Sequence, residues 1–322
     1  MLPVIDISNL SSSDINERRR VARALGEAYG EAGFAYIADH GIPQSVMDGA
    51  LEAMRAYFAR PESEKRLLTR REGRYRGYVP VMPFGQNASE APPALYEAFL
   101  IGHDPDPDHP EVHATKGLYG PNVWPNEPDE FRQAMTAYWH AVSDLSDRLL
   151  KAFALTLDQD ETILIDKFKT PLTNISCLYY PSRPGTEHLE ADDMNAHRDT
   201  NAITILLPGK VGGLEVASPD GGWIEAPPKP GCFVVNIGNM MECWSGGRLK
   251  STYHRVHPPR DRERYSIGFF AVPDFNTVVE PLPGLPVTGT PDDMAPRHAG
   301  KDLAAFVAKF DNDVVGAKSG AA

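Results

Sequence analysis

Only three cysteines, Cys177, Cys232 and Cys243, occur in 322 residues. That is too few for a disulfide scaffold, and their spacing is not that of a zinc cluster. They read as small buried hydrophobes in a reducing compartment, so a cytoplasmic protein is expected. No uninterrupted apolar run approaches the roughly 20 residues of a membrane helix, which argues against a membrane protein. The opening segment, Met1 to Asp6, lacks a basic stretch followed by an apolar one, so no secretory signal is expected. Positive charge is also scarce. The 32 Lys and Arg stand against 44 Asp and Glu, a formal net charge of -12, which argues against non-specific binding to nucleic acid. What remains is a globular chain with 42% hydrophobic residues, enough to bury a sizeable core in one large domain or two small ones.

The pattern along the chain is helical first and strand-like later. Leu2 to Ile7 predicts a strand. Ser11, Ser12, Ser13 and Asp14 offer helix caps ahead of Ile15, Val21, Leu25 and Ala28 at helical spacing. Gly33 ends that helix, Phe34 to Ile37 predicts a second strand, and a second helix runs from Gln44 to Phe58. Lys65 to Gly85 is basic and then aromatic, and reads as loop with short strands. From Asp129 onward, Phe131, Met135, Tyr138, Val142, Leu145, Leu149 and Phe153 form one apolar helix face, which reads as core packing. Between Asn174 and Val272 seven short apolar runs alternate with Gly, Pro and Asp turns, the signature of an antiparallel sandwich or barrel. A Pro- and Gly-rich tail follows, with a helix near Lys301 to Phe310 and a frayed end at Val315 to Ala322. These shifts divide the chain into an N-terminal region (1–110), a helical segment (111–170), a β core (171–280) and a C-terminal extension (281–322). One compact unit and a monomer are expected.

Two constellations could carry chemistry. On extended backbone, residues two apart share a face, so His197 and Asp199 can converge on one ion. His254 lies in a later strand-like segment, Lys250 to Val256, and can supply a third ligand. Two His and one carboxylate leave open positions suited to Fe(II), O2 and a co-substrate, whereas structural zinc wants four closed ligands. The other histidines read as structural. His103, His109 and His113 lie in a Pro- and Asp-rich stretch; His188 and His40 sit in loop or turn; His140 is on the long helix; His298 is in the tail; and His257 faces away from His254. Arg264 and Ser266 also share one strand face, a pairing that suits a carboxylate, and Tyr180 before Pro181 can add a third hydrogen bond. A di-acid such as 2-oxoglutarate would chelate iron at one end and meet Arg264 at the other.

These residues stand in segments that resemble the isopenicillin-N-synthase-like branch of the iron(II)/2-oxoglutarate-dependent dioxygenases. The segments are His197 to Leu207, Val211 to Val216, Gly231 to Gly238, Ser245 to Val256 and Arg264 to Ser266, with Leu2 to Ser8, Glu31 to Phe34 and His40 to Ile42 in the N-terminal half. The resemblance implies a double-stranded β-helix, or jelly-roll, core that is mostly β with flanking α-helices. It implies Fe(II) on His197, Asp199 and His254, and 2-oxoglutarate held by Arg264, Ser266 and Tyr180. Leu178 replaces the Asn usual in the Asn-x-Tyr-Pro pattern. Phe270 falls where relatives place an aromatic against substrate, and Tyr78 and Phe84 are further candidate pocket walls. The implied reaction is oxygenation of a small organic molecule, by hydroxylation, desaturation or cyclisation, releasing succinate and CO2. The rival enzyme reading is an Fe(II) oxidase of the same fold that uses no 2-oxoglutarate, with Arg264 and Ser266 on a substrate carboxylate. A zinc hydrolase on the same ligands and a non-catalytic small-molecule binding module are two more rivals.

Overall fold

The computed structural model describes residues 1–71, 73–83, 93–94, 96–106, 108–110, 112, 115, 117–126, 129–184, 194–257 and 259–316. Phe84, His113 and His188 lie outside the described residues. Two sheets dominate. The larger has eight strands in the order Val4–Asp6, Phe34–Ala38, Phe233–Ile237, Ile203–Pro208, Arg264–Ala271, Asn174–Tyr180, Glu97–Gly102 and Gly77–Val79. The smaller has four, in the order Trp223–Glu225, Leu214–Ala217, His254–Val256 and Met194–His197. The first pair of the larger sheet is parallel and its remaining pairs are antiparallel. This is the antiparallel architecture expected from the run of short strands, and it is the double-stranded β-helix that the family resemblance implies. Four of the eight strands in the larger sheet come from the N-terminal third, so that segment is woven into the core sheet.

Alternation along each strand sorts side chains between two apolar layers. One layer packs the sheet against helices Ile15–Glu31, Gln44–Phe58 and Glu130–Thr156, and includes Ile205, Phe269, Leu145 and Phe153. All seven apolar residues predicted on the long helix are buried there. The other layer fills the space between the two sheets: Phe34, Tyr36, Leu178, Tyr180 and Val234 of the larger sheet meet Leu214, Val216 and Val256 of the smaller. The first helix starts where local chemistry predicts. The Asp14 side chain accepts from the Asn16 N–H at 2.8 Å and caps it. The last helix is longer than the sequence suggests, Ala299–Gly316.

Gly33 makes the turn from the first helix into Phe34–Ala38. Its φ is +69°, a left-handed conformation that costs glycine nothing. A Cβ there would collide with the Lys250 carbonyl and lie 2.5 Å from Thr252 Oγ1. Gly33→Ala should therefore destabilise the fold by about 2–4 kcal/mol, read as a lower midpoint in urea. A midpoint equal to wild type would show that the turn relaxes at no cost.

Candidate active site

The site forms where the edge strand of the smaller sheet meets the open end of the larger. His197 is the last residue of Met194–His197 and pairs directly with His254 across the ladder. Between that pair and Val256↔Met194 the register slips by one residue, a bulge on the His197 strand. The two imidazole rings come to 4.3 Å between centroids. Past the strand end the alternation continues: Arg198 turns away and Asp199 turns in. Arg198 bonds Glu242 at 3.1 Å and Asp293 at 2.9 Å, tying the segment to the C-terminal extension.

The three predicted ligands meet. One donor atom from each of His197, Asp199 and His254 lies within 4.8 Å of the others, a spacing that one metal ion could bridge. His197 Nε2 is 3.7 Å from Asp199 Oδ1, and His254 Nε2 is 3.8 Å from Asp199 Oδ2. Each imidazole turns its Nδ1 to a backbone carbonyl, Asn195 at 2.8 Å and Thr252 at 3.2 Å. With Nδ1–H donating, each Nε2 lone pair faces the shared centre. Asp199 Oδ2 accepts from Thr204 Oγ1 at 2.6 Å and from Asn236 Nδ2 at 2.8 Å.

Electrostatics suit a cation. Burial pushes the Asp199 carboxyl upward, but His254, His197 and the hydrogen bonds from Thr204 and Asn236 outweigh it and hold it below the ordinary carboxylate value. Burial lowers the His254 imidazole, against the pull of Asp199, so this ring is neutral and able to ligate at pH 7. Two imidazole nitrogens and a carboxylate, with no thiolate, are a donor set that fits Fe(II).

Arg264 and Ser266 lie further along the inner face, and both are buried. Arg264 Nη1 donates to Ser266 Oγ at 3.0 Å and Nε to the Gly212 carbonyl at 3.1 Å. The Tyr180 ring lies against the guanidinium, 4.8 Å away. A narrow crevice beside them is lined by Leu206, Leu214, Val234 and Arg264. A buried guanidinium and hydroxyl beside an apolar crevice fit the far carboxylate of 2-oxoglutarate. Phe270 shares the face of Arg264, Ser266 and Gly268, and its ring covers Gly268.

Tyr78 departs from the position expected of it. It pairs with Phe99 on the helix-facing side of the sheet. Its hydroxyl donates to Glu97 at 2.6 Å, and Lys65 reaches the same carboxylate at 2.6 Å. Strand alternation sends it away from His197, Asp199 and His254, so it is no wall of that site. Tyr96 takes the inner position instead, 5.5 Å from the Tyr180 ring. Thr204 and Asn236, the two donors to Asp199, are candidate site residues that sequence reasoning misses. A signal for them exists, since each is a polar residue inside an otherwise apolar strand run. Of the histidines read as structural, His40 is buried with Nδ1 accepting from the Ile42 N–H, while His140 and His257 are exposed.

Comparison with known proteins agrees with this geometry. Residues 2–127 match the family described as non-haem dioxygenase in morphine synthesis N-terminal, and residues 173–273 match the 2OG-Fe(II) oxygenase superfamily. A 2-oxoglutarate-Fe(II) type oxidoreductase, hxnY of Emericella nidulans, is 34% identical over 274 residues, covering 83% of this chain and 78% of the relative. The crystal structure of a full-length Neurospora crassa protein in complex with alpha-KG superposes with a TM-score of 0.82 at 25% identity, over 95% of this chain and 96% of that one. JOX2 in complex with 2OG, Fe and JA gives 0.77 at 27% identity, over 95% and 84%. The chain belongs to the 2OG-Fe(II) oxygenase superfamily. It is an oxidoreductase that uses Fe(II), 2-oxoglutarate and O2 to oxygenate a small organic molecule.

The hydrogen bonds to Asp199 generate a prediction. Thr204→Val and Asn236→Ala should each weaken metal binding about 10- to 100-fold, measured by competition with a chromophoric chelator. Affinity equal to wild type would show that Asp199 is oriented by its backbone alone.

Proposed function

We propose that His197, Asp199 and His254 hold the Fe(II) of this oxygenase. In the same reading Arg264 and Ser266, with Tyr180 beside them, hold the remote carboxylate of 2-oxoglutarate, and Phe270 lines the substrate side. The observation that carries the reading is the convergence of the three donor atoms within 4.8 Å. Bound Fe(II) with 2-oxoglutarate and O2 supplies the oxidising equivalents, and succinate and CO2 leave.

The chain's own residues then have separate tasks. Asn195 and Thr252 carbonyls fix the imidazole tautomers. Thr204 and Asn236 keep Asp199 ionised and aimed. Ser266 fixes the rotamer of Arg264 before any ligand arrives, which lowers the ordering cost of binding. The apolar side chains between the sheets, Leu206, Leu214, Val216 and Val234, exclude water from the path between the two ends. Phe270 offers substrate an aromatic wall on the same face, which favours a substrate with an apolar part.

Two measurements test this. His197→Ala, Asp199→Ala and His254→Ala should each abolish Fe(II)-dependent turnover with the fold retained by circular dichroism; full activity in any one removes that residue from the ligand set. Anaerobic titration of the Fe(II)-loaded protein with 2-oxoglutarate should give a saturable visible charge-transfer band. In Arg264→Ala the half-saturating concentration should rise about 30-fold or more, because the carboxylate loses a buried charged donor. An unchanged titration would take Arg264 off the co-substrate and place it on the substrate.

A further inference from the structure

A second buried guanidinium lies at the opposite end of the inner face. Arg76 has 0% exposure. Its Nη2 donates to the Leu118 carbonyl at 3.2 Å, and its guanidinium stands 5.3 Å from the Tyr75 ring. Its Nε and Nη1 are buried and have no hydrogen-bond partner among the described residues. No ion pair of Arg76 occurs among the described residues either. Asp104 is near enough to act on it through space, but that carboxylate is engaged by Asn122. Burying a charged group with two donors unused is unfavourable. Burial lowers its pKa to about 10, so the group still carries its charge at pH 7.

The strand register shows where this charge points. Gly102 shares the inner face with Ala98, which packs with Leu178 and Tyr180 between the sheets. A Cβ on Gly102 would fall inside the Arg76 guanidinium. The guanidinium therefore occupies the inner position that a larger residue at 102 would fill. Gly102 pairs with Asn174, Asn174 with Phe270, Phe270 with Thr204, and Thr204 with Asn236. One transverse row thus runs from Arg76, past Phe270, to the two residues that hold Asp199. Three strand spacings separate Gly102 from Thr204, about 14 Å along the sheet. That is the reach of a small organic molecule lying across Phe270.

We propose that Arg76 is the substrate anchor, taking a carboxylate of the substrate through Nε and Nη1 while the carbon to be oxygenated lies over the metal ligands. The inference rests on the iron and Arg264 assignments made above. It deepens them by naming the substrate class, a carboxylic acid with an apolar body. Gly102 belongs to the same device, because only glycine leaves the seat that the guanidinium fills.

The test uses the Fe(II)-loaded protein, anaerobic and saturated with 2-oxoglutarate, so that Arg264 and the metal are already occupied. Isothermal calorimetry compares short- and medium-chain alkyl and aryl carboxylates with their own primary amides. At least one acid should bind about 30-fold more tightly than its amide. Arg76→Met should abolish that preference, and Gly102→Ala, which keeps the arginine but fills its seat, should weaken it. In both variants the 2-oxoglutarate band should still titrate, which certifies the fold and the co-substrate site. No acid outbinding its amide in the wild-type protein overturns the proposal without recourse to any variant. So does an acid preference that survives in Arg76→Met. A missing 2-oxoglutarate band in wild type would defeat the Arg264 assignment alone, and the acid–amide comparison with Fe(II) only would still judge Arg76.

Discussion

Asp199 has to be buried, ionised and aimed at the same time. Its side chain is almost wholly withdrawn from water, which by itself favours the neutral acid. A hydroxyl donor, an amide donor and two imidazoles reverse that preference. Three of these partners come from three different strands, Ile203–Pro208, Phe233–Ile237 and His254–Val256, and so from both sheets. A one-residue slip in any of them would turn its side chain to the opposite face. The register of the larger sheet and the packing of the two sheets against each other are therefore conditions for a charged Asp199. The apolar layer between the sheets holds that register mechanically.

The same constraint explains the division along the inner face. Side chains that need water or helix contacts are sent outward by alternation, as with Tyr78 in its Lys65–Glu97 network and Phe269 against Trp139. What stays inside is largely apolar, with polar groups at particular points: Asp199 with its donors, Arg264 with Ser266, Asn174 and Ser176 on their strand, and Arg76 on Gly102. Arg198 shows the rule at its sharpest. It lies between two inward residues and points outward, where Glu242 and Asp293 neutralise it. Its ion pairs pin the backbone of the His197–Asp199 segment from behind and link it to the C-terminal extension.

Much of this is legible in the sequence where periodicity is strict. The helix read at about Gln44 to Phe58 is found there, and so is the apolar face of the long helix, because both depend on local spacing alone. The His197, Asp199 and His254 set is legible because alternation puts His197 and Asp199 on one face and the family resemblance joins His254 to them. Tyr78 is misread because its face depends on pairing with Phe99, a long-range fact. The left-handed Gly77 beside it also breaks the local alternation that could give a hint. Thr204 and Asn236 escape notice because a polar residue in an apolar run passes as part of the strand. Arg76 is hidden for a different reason: in sequence it sits in a basic stretch that reads as loop with short strands, and only the structure shows it to be buried against Gly102.

The charge balance of the chain gives these buried cations their meaning. A protein with a net charge of -12 that binds the dianion 2-oxoglutarate gains nothing from its average field. At physiological ionic strength, however, exposed charges are screened beyond about 8 Å, while buried ones are screened far less. Attraction for anionic ligands is therefore set by buried guanidinium groups, Arg264 beside the apolar crevice and Arg76 against Gly102 and Tyr75. A guanidinium whose donors already engage a hydroxyl and a carbonyl, as in Arg264, is held in one pose. Arg76, with two donors unengaged among the described residues, is destabilising until a ligand arrives, and that penalty becomes selectivity when an acid of the right length relieves it. The two guanidinium groups thus offer the same interaction at two separate places on the inner face.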